Sequence, residues 1–327
     1  MRRSLSGIQP SGVLHLGNYF GAIKQFIENQ DKYEGFYFIA DYHSLTSSPD
    51  PKSLRENSYN IVLDYLALGL DPEKATIFLQ SDMPEHAELA WILSNVTPMG
   101  LLERAHSFKD KTAKGIAANA GLFTYPVLMA ADILMYDPDI VPVGKDQKQH
   151  LEMTRDIAMK FNLQYEKEIF KLPEPGILES LAVVPGTDGQ KMSKSYGNTI
   201  EMFASKKNLK KQIMSVVTDS TPLEDPKDPD NNITILYKLF ASEEKVEEMR
   251  QKFMAGGYGY GHAKNELLEA VLEYFKEARE KREELAKNPE YVEAVLKKGA
   301  EKARKIAHKK ITLVKETVGL LGNMYKK

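Results

Sequence analysis

The sequence predicts an α/β protein, with a parallel sheet wrapped by helices in its first half and a helical second half. Three observations lead there. Short, dense apolar runs alternate with amphipathic stretches up to about residue 190. Those runs, "FYFIA" (36–40) foremost, are apolar at every position rather than every second one, the pattern of strands buried on both faces. From about residue 200 the strand-like runs stop and charged residues at helical spacing take over.

The elements follow in order. "SLSGI" (4–8) opens as a strand, and "NYFGAIKQFIENQ" (18–30) places Phe20, Ile23, Phe26 and Ile27 on one helical face. After "FYFIA" comes the helix "LRENSYNIVLDYLALGL" (54–70), with Gly69 near its end and Asp71-Pro72 beyond. "ATIFLQ" (75–80) is a strand. "EHAELAWILSN" (85–95) is a helix that carries the lone Trp91 toward the core. A strand at "DIVPVG" (139–144), a helix from about 146 to 161 and a strand at "LAVVPG" (181–186) complete the alternation. This is a Rossmann-type sheet, which binds ligands at the carboxyl ends of its strands. Beyond it, "TPLEDPKDPDNN" (221–232) and "AGGYGYGH" (255–262) interrupt the helices as loops, and residues 291–327 are basic. The expected division is 1–190, 191–290 and 291–327.

Composition excludes several classes. The chain has 327 residues, more than one small core organises. A net charge of −2 is not that of a uniformly basic nucleic-acid binder. Zero cysteines leave no disulfide, thiolate nucleophile, Cys-type zinc site or Cys-ligated cluster. The basic "MRRSLSG" start has no apolar stretch behind it, so no secretory signal is expected, and no apolar run nears the ~20 residues of a membrane helix. A cytoplasmic location fits. His86, His106, His150, His262 and His308 show no metal-ligand spacing and are expected to be structural or on the surface.

Two stretches carry chemistry. In "SGIQPSGVLHLGNYFG" (6–21), glycines let backbone approach a ligand, Pro10 fixes the turn, and Gln9 and Ser11 offer neutral hydrogen bonds. His15-Leu-Gly-Asn18 then opens a helix, whose free N–H groups favour phosphate. In "GQKMSKSYGN" (189–198), Lys191 and Lys194 sit among hydroxyls and glycines and suit charge developing on a triphosphate. Taken singly, each stretch is also what an ordinary strand-to-helix connection or a solvated basic turn looks like.

Together they resemble the "HIGH" and "KMSKS" signatures of class I aminoacyl-tRNA synthetases. With "TYPVLMAADILMY" (124–136) and "VPVGKDQKQHLEMTRDIA" (141–158), the order and spacing along nearly the whole chain resemble the bacterial tryptophanyl-tRNA synthetases. The resemblance implies activation of L-tryptophan by ATP with Mg²⁺, then transfer to the terminal adenosine of tRNA(Trp). It implies a homodimer without membrane association, an anticodon-binding helical domain, and a basic terminal segment packed back on the Rossmann domain. It assigns catalytic roles to His15, Asn18, Lys111, Lys191 and Lys194. ATP binding falls to Gln9, Pro10, Ser11, Gly17, Asn18, Gly144, Lys145, Asp146, Val183, Lys191, Met192, Ser193, Lys194 and Ser195. The fourth signature position is Asn18 rather than His, a donor without charge, so the lysines are expected to supply the charge.

Tryptophan binding falls to Leu5, Gly7, His43, Tyr125, Met129, Asp132, Ile133, Val141, Val143 and Gln147. Asp132 lies amid the apolar stripe Tyr125, Met129, Ile133 and Tyr136, where a carboxylate needs a partner. The indole N–H, a donor only, suits that acceptor, and loss of it by a phenylalanine ligand would strand a buried charge. His43 and Gln147 are expected at the amino acid's polar end. Tyrosyl-tRNA synthetases share both signatures but need polar partners for a phenol. A small-metabolite nucleotidyltransferase would use a similar His-x-Gly start, but the long helical half and the intact "KMSKS" weigh against it. A non-catalytic paralogue is disfavoured because no expected catalytic position is missing.

Overall fold

Among the described residues, five parallel strands form one sheet in the order β3-β2-β1-β4-β5. In the computed structural model, which describes residues 1–47, 49–105, 108, 119–143, 148–177 and 184–320, they are β1 (Arg2–Ile8), β2 (Tyr33–Ile39), β3 (Ala75–Leu79), β4 (Ile140–Val143) and β5 (Glu174–Ile177). β1 pairs with β2 from Arg2↔Tyr33 to Ile8↔Ile39, and with β4 at Ser4↔Ile140. The chain therefore winds outward to β3, returns, and continues from β4 on the other side. The switch point lies between β1 and β4, where their carboxyl ends open a crevice.

Along β2 successive side chains enter opposite cores. Phe36 and Phe38 join one cluster, with Leu5 and Phe78; Tyr37 and Ile39 join the other, with Ile77. Covering helices on the way to the site are α1 (16–29), α2 (Pro51–Ala67), α3 (Pro84–Ser94), α4 (Ala120–Leu134) and α5 (Lys148–Gln164). The middle of α1, Tyr19–Ile23, is wound as π-helix. α2 starts where Asp50 accepts from Ser53 N at 2.9 Å with Pro51 in the first turn, and α4 where Asn119 accepts from Leu122 N at 2.8 Å.

The second half is built from α6 (Lys206–Met214), α7 (Asn232–Tyr237), α8 (Glu243–Ala255), α9 (Tyr260–Tyr274), α10 (Lys276–Ala286) and α11 (Pro289–Thr317). α10 packs on α2, and α11 lies along β3 and α3. A small-residue face makes the latter contact possible. A Cβ built on Gly299 would stand 1.8 Å from the Ile77 carbonyl oxygen, so the helix sits against strand backbone. Lys310, on this basic helix, is buried against Asp137 at 2.7 Å and the Ile169 carbonyl at 2.9 Å. Among the described residues no helix is long and apolar enough to cross a membrane.

Three expectations need correction. Among the described residues the last strand is Glu174–Ile177, which was not expected, and no strand is seen in the described part of "LAVVPG". Residues 181–183 lie outside the described residues, and at 184–186 there is only a bridge between Pro185 and Lys191. Pro173 and Pro175 disguise the true strand, and its place at the sheet edge is where proline is tolerated. Trp91 is not core but 73% exposed, because α3 buries His86, Leu89, Ile92 and Leu93 on the other side. In "AGGYGYGH" only the first part is a loop: Gly256 and Gly257 take φ of +76° and +75°, and α9 begins at Tyr260.

Candidate active site

β1 delivers the chain to a tight turn at the switch point. Ser11 N donates to Gln9 O at 2.8 Å, and Gly12 adopts φ +137°, a conformation side chains rarely allow. Leu16 N then donates to Ile200 O at 2.9 Å as α1 begins. His15 is buried, and its N–H donates to Asn18 Oδ1 at 3.1 Å. That bond orients the Asn18 amide with its NH₂ group left to act as donor.

The "KMSKS" stretch is anchored from inside. Met192 is buried, and its N–H donates to Val184 O at 2.9 Å. Asn198, 2% exposed, accepts from Ser193 N at 2.8 Å and donates to Lys191 O at 3.1 Å and Asp188 Oδ1 at 2.7 Å. Lys194–Tyr196 form a single 3₁₀ turn, and the Ser193 and Ser195 hydroxyls are 2.9 Å apart. The two stretches lie side by side. A Cβ on Gly12 would be 3.6 Å from Lys194 Nζ; one on Gly17 would be 3.0 Å from the His15 ring and 3.4 Å from Met192 Cβ.

Electrostatics divides labour between these groups. Burial, helped by the Lys194 charge, lowers His15 to about 4, so at neutral pH it is an uncharged donor. Burial lowers Lys194 to about 8 against the pull of Glu201 and Asp64. The ammonium is thus a poorly solvated cation, the kind an arriving polyanion stabilises.

Beside this turn a cavity of about 480 Å³ opens at the ends of β1 and β4. Leu5, Gly7, His43, Tyr125, Met129, Asp132, Ile133 and Val141 line it, with Gln9 at the side of the turn. Gly7 is held to glycine by its neighbour, since a Cβ there would be 2.5 Å from the Phe38 ring. Asp132, at 1% exposure, receives Gln80 Nε2 at 2.7 Å, His86 Nδ1 at 2.7 Å and His43 Nε2 at 2.8 Å. Burial raises its pKa, but the bonds from His43 and His86 outweigh that and hold the carboxyl below its ordinary value.

This corrects the idea that the charge depends on a ligand: three protein donors already satisfy it. His43 sits on the Asp132 carboxylate, an arrangement the sequence reading, which put it at the amino acid's polar end, did not foresee. Lys111, Gly144, Lys145, Asp146, Gln147 and Val183 lie outside the described residues. Val143 is placed by its backbone, paired with Ile177.

Several residues here escaped the sequence reading. Gln80 and His86 bind Asp132, Tyr136 Oη lies 2.7 Å from His86 Nε2, and His150 meets the Tyr125 hydroxyl at the cavity wall. Asn198 braces the loop. Tyr136 had a signal in its i, i+4 spacing from Asp132, and Asn198 closes the "GQKMSKSYGN" stretch itself; Gln80, His86 and His150 come from distant elements.

The arrangement can bind a flat, mostly apolar molecule against one carboxylate, beside a cationic turn suited to phosphate. The comparisons agree. The family described as tRNA synthetases class I (W and Y) matches residues 2–276. A tryptophan–tRNA ligase of Fusobacterium nucleatum is 71% identical over 325 residues, covering 99% of this chain and 100% of the relative. The crystal structure of the Campylobacter jejuni tryptophanyl-tRNA synthetase, complexed with ADP and tryptophan, is 58% identical with a TM-score of 0.92; the match covers 97% of this chain and 100% of that one. The Mycoplasma pneumoniae tryptophanyl-tRNA synthetase is 34% identical with a TM-score of 0.82, covering 100% of both chains.

Proposed function

This chain belongs to the class I tRNA synthetases of the tryptophan and tyrosine type, and from that premise we propose how its own residues perform the reaction. The activity is that of a tryptophan–tRNA ligase, with ATP as co-substrate. The observation that carries the reading is the ionised Asp132 in the wall of a mostly apolar cavity, which at Gln9 runs into the turn that lies beside Lys194.

Tryptophan fills the cavity with its indole N–H on Asp132 and its ring against Leu5, Gly7, Tyr125, Met129, Ile133, Val141 and Val143. Gln147 and His43 complete the amino-acid site. ATP lies along the turn of Gln9, Pro10 and Ser11, with Gly17 beneath the base. Gly144, Lys145 and Asp146 take the ribose, and Val183 touches the adenine. The tryptophan carboxylate attacks the α-phosphate in line, and pyrophosphate leaves. No side chain acts as nucleophile. Positioning and charge stabilisation do the work: neutral donors from His15, Asn18, Ser193 and Ser195, and cations from Lys111, Lys191 and Lys194. The adenylate then esterifies the terminal ribose of tRNA.

Mg²⁺ belongs to the triphosphate in this reading. No cluster of three His, Asp or Glu able to hold a metal occurs among the described residues, and the signature stretches themselves offer hydrogen-bond donors and cations. The helical half from 191 to 290 reads the anticodon, the protein acts as a homodimer, and it works in the cytoplasm, where its tRNA is charged. Amino-acid-dependent ATP–pyrophosphate exchange tests the reading. Exchange with tryptophan and not tyrosine is the expected result; exchange with tyrosine alone, or with neither, overturns it.

A further inference from the structure

The donors on Asp132 are unevenly placed. Oδ1 takes two, from Gln80 Nε2 and His86 Nδ1, both at 2.7 Å; Oδ2 takes one, from His43 Nε2 at 2.8 Å. His43 lines the cavity, whereas Gln80 and His86 stand behind the carboxylate at 0% exposure. Gln80 is itself fixed, because its Oε1 accepts from Tyr42 N at 3.1 Å. Tyr136 Oη lies 2.7 Å from His86 Nε2, and burial keeps that phenol protonated. One proton placement satisfies the whole chain: Tyr136 O–H donates to Nε2, and Nδ1–H donates to Oδ1. A carboxylate oxygen offers two acceptor directions. Oδ1 has used both, and Oδ2 keeps one.

We propose that His86 is a positioning residue for amino-acid selection: held in one tautomer by Tyr136, it pins Asp132 from behind so that a single acceptor direction, on Oδ2, faces the cavity. This rests on the reading that Asp132 accepts the indole N–H. A ring with one donor and no acceptor matches that direction. A phenol can donate in that direction too, but its oxygen also brings lone pairs that a carboxylate cannot meet, and a benzyl ring brings no donor. A carboxylate released at Oδ1 can turn, show both oxygens, and accept water or a phenol as well.

The test compares pyrophosphate exchange with tryptophan and with tyrosine on one preparation, so that the ratio of the two kcat/KM values is independent of the folded fraction. His86→Asn places an amide N–H near the Nδ1 position; His86→Gln moves it to the Nε2 position. His86→Asn is expected to keep the native ratio. His86→Gln is expected to lose roughly tenfold or more of it, the worth of a hydrogen bond to a charged group, through KM for tryptophan rather than kcat. An unchanged ratio in His86→Gln, or an equal fall in both variants, overturns the proposal. Asp132→Asn, run in parallel, separates the two levels. If it leaves the ratio unchanged, the pocket reading falls and takes the proposal with it. If it lowers the ratio while His86→Gln does not, the proposal alone falls. Should neither His86 variant fold, nitrogen-15 NMR of the unaltered chain decides. An His86 imidazole protonated at Nδ1 and accepting at Nε2 supports the proposal; protonation at Nε2 overturns it.

Discussion

Arg282 on α10 donates through Nε to Asp64 Oδ1 on α2, and through Nη2 to Asn60 Oδ1 at 3.0 Å. The guanidinium also lies over the Phe203 ring, 5.1 Å from its centroid. One turn earlier, Arg279 donates to the Met202 carbonyl and to Ala204 O at 2.7 Å. The helical half is thereby fastened both to the sheet's covering helix and to the chain just after the "KMSKS" turn. Asp64 also acts electrostatically on Lys194. The contact between the halves and the charge on the signature loop thus share one buried carboxylate.

That carboxylate makes stability depend on pH. Burial raises Asp64 to about 6 in spite of Arg282. An acid whose folded pKa exceeds its unfolded value binds more protons when folded, so its contribution falls as pH rises from about 4 to 6. Asp64→Asn keeps an acceptor for Arg282 and removes the titration. Between those pH values the native chain should lose on the order of 3 kcal/mol relative to the variant, at about 1.4 kcal/mol per unit. Parallel unfolding free energies across that range would show that Asp64 is not the group responsible.

Lys194 should impose an alkaline limit on ATP use. Its free-state value of about 8 means that kcat/KM for ATP, which reports the free enzyme, declines above that pH. Lys194→Arg should remove the decline. Lys194→Ala should slow adenylate formation by roughly 10²–10³-fold, the usual scale for losing a transition-state charge contact, with tryptophan affinity nearly intact. Weakened tryptophan binding at an unchanged rate would refute the assigned role.

Gly299 should tolerate no side chain. Gly299→Ala must lift α11 from the Ile77 carbonyl and is expected to cost about 1–3 kcal/mol, as overpacking does. Gly261→Ala is the control, because a Cβ there meets nothing within 4 Å. A melting temperature for Gly299→Ala equal to that of the control would mean the helix is not seated on the strand.

Trp91, the only tryptophan in the chain, reports on its own surroundings. Its 73% exposure predicts water-like emission that iodide quenches readily in dilute protein. Met99 at 63% and Leu163 at 80% are further exposed apolar side chains, on the turn Met99–Glu103 and on α5. If the chain forms a homodimer and does so through α3, raising the concentration through the dimer transition should protect Trp91, and Trp91→Glu should hold the protein monomeric in sedimentation. A dimer that leaves the emission unchanged places the interface elsewhere.

Much of this protein was legible in advance. "FYFIA" announced a strand buried on both faces because such a strand has no polar side to alternate with. The Gly-Pro turn before His15 and the paired lysines marked two loops by residue type alone. Trp91 misled because hydrophobicity favours burial without requiring it. "PEPGI" was passed over because proline argues against a strand unless the strand is known to lie at an edge, and edge position is a property of the assembled sheet.

The sequence by itself determined the alternation of strands and helices, the two signature loops and the identity of the carboxylate in the apolar stripe. These are encoded by neighbours a few residues apart, through periodicity and backbone preference. The tertiary structure alone decided that the Gly12 turn lies beside Lys194, that α11 sits on β3, and that Asp132 is held by Gln80, His86 and His43. Those partners come from separate elements, and hydrogen bonds and burial act on distance in space, which local pattern does not record.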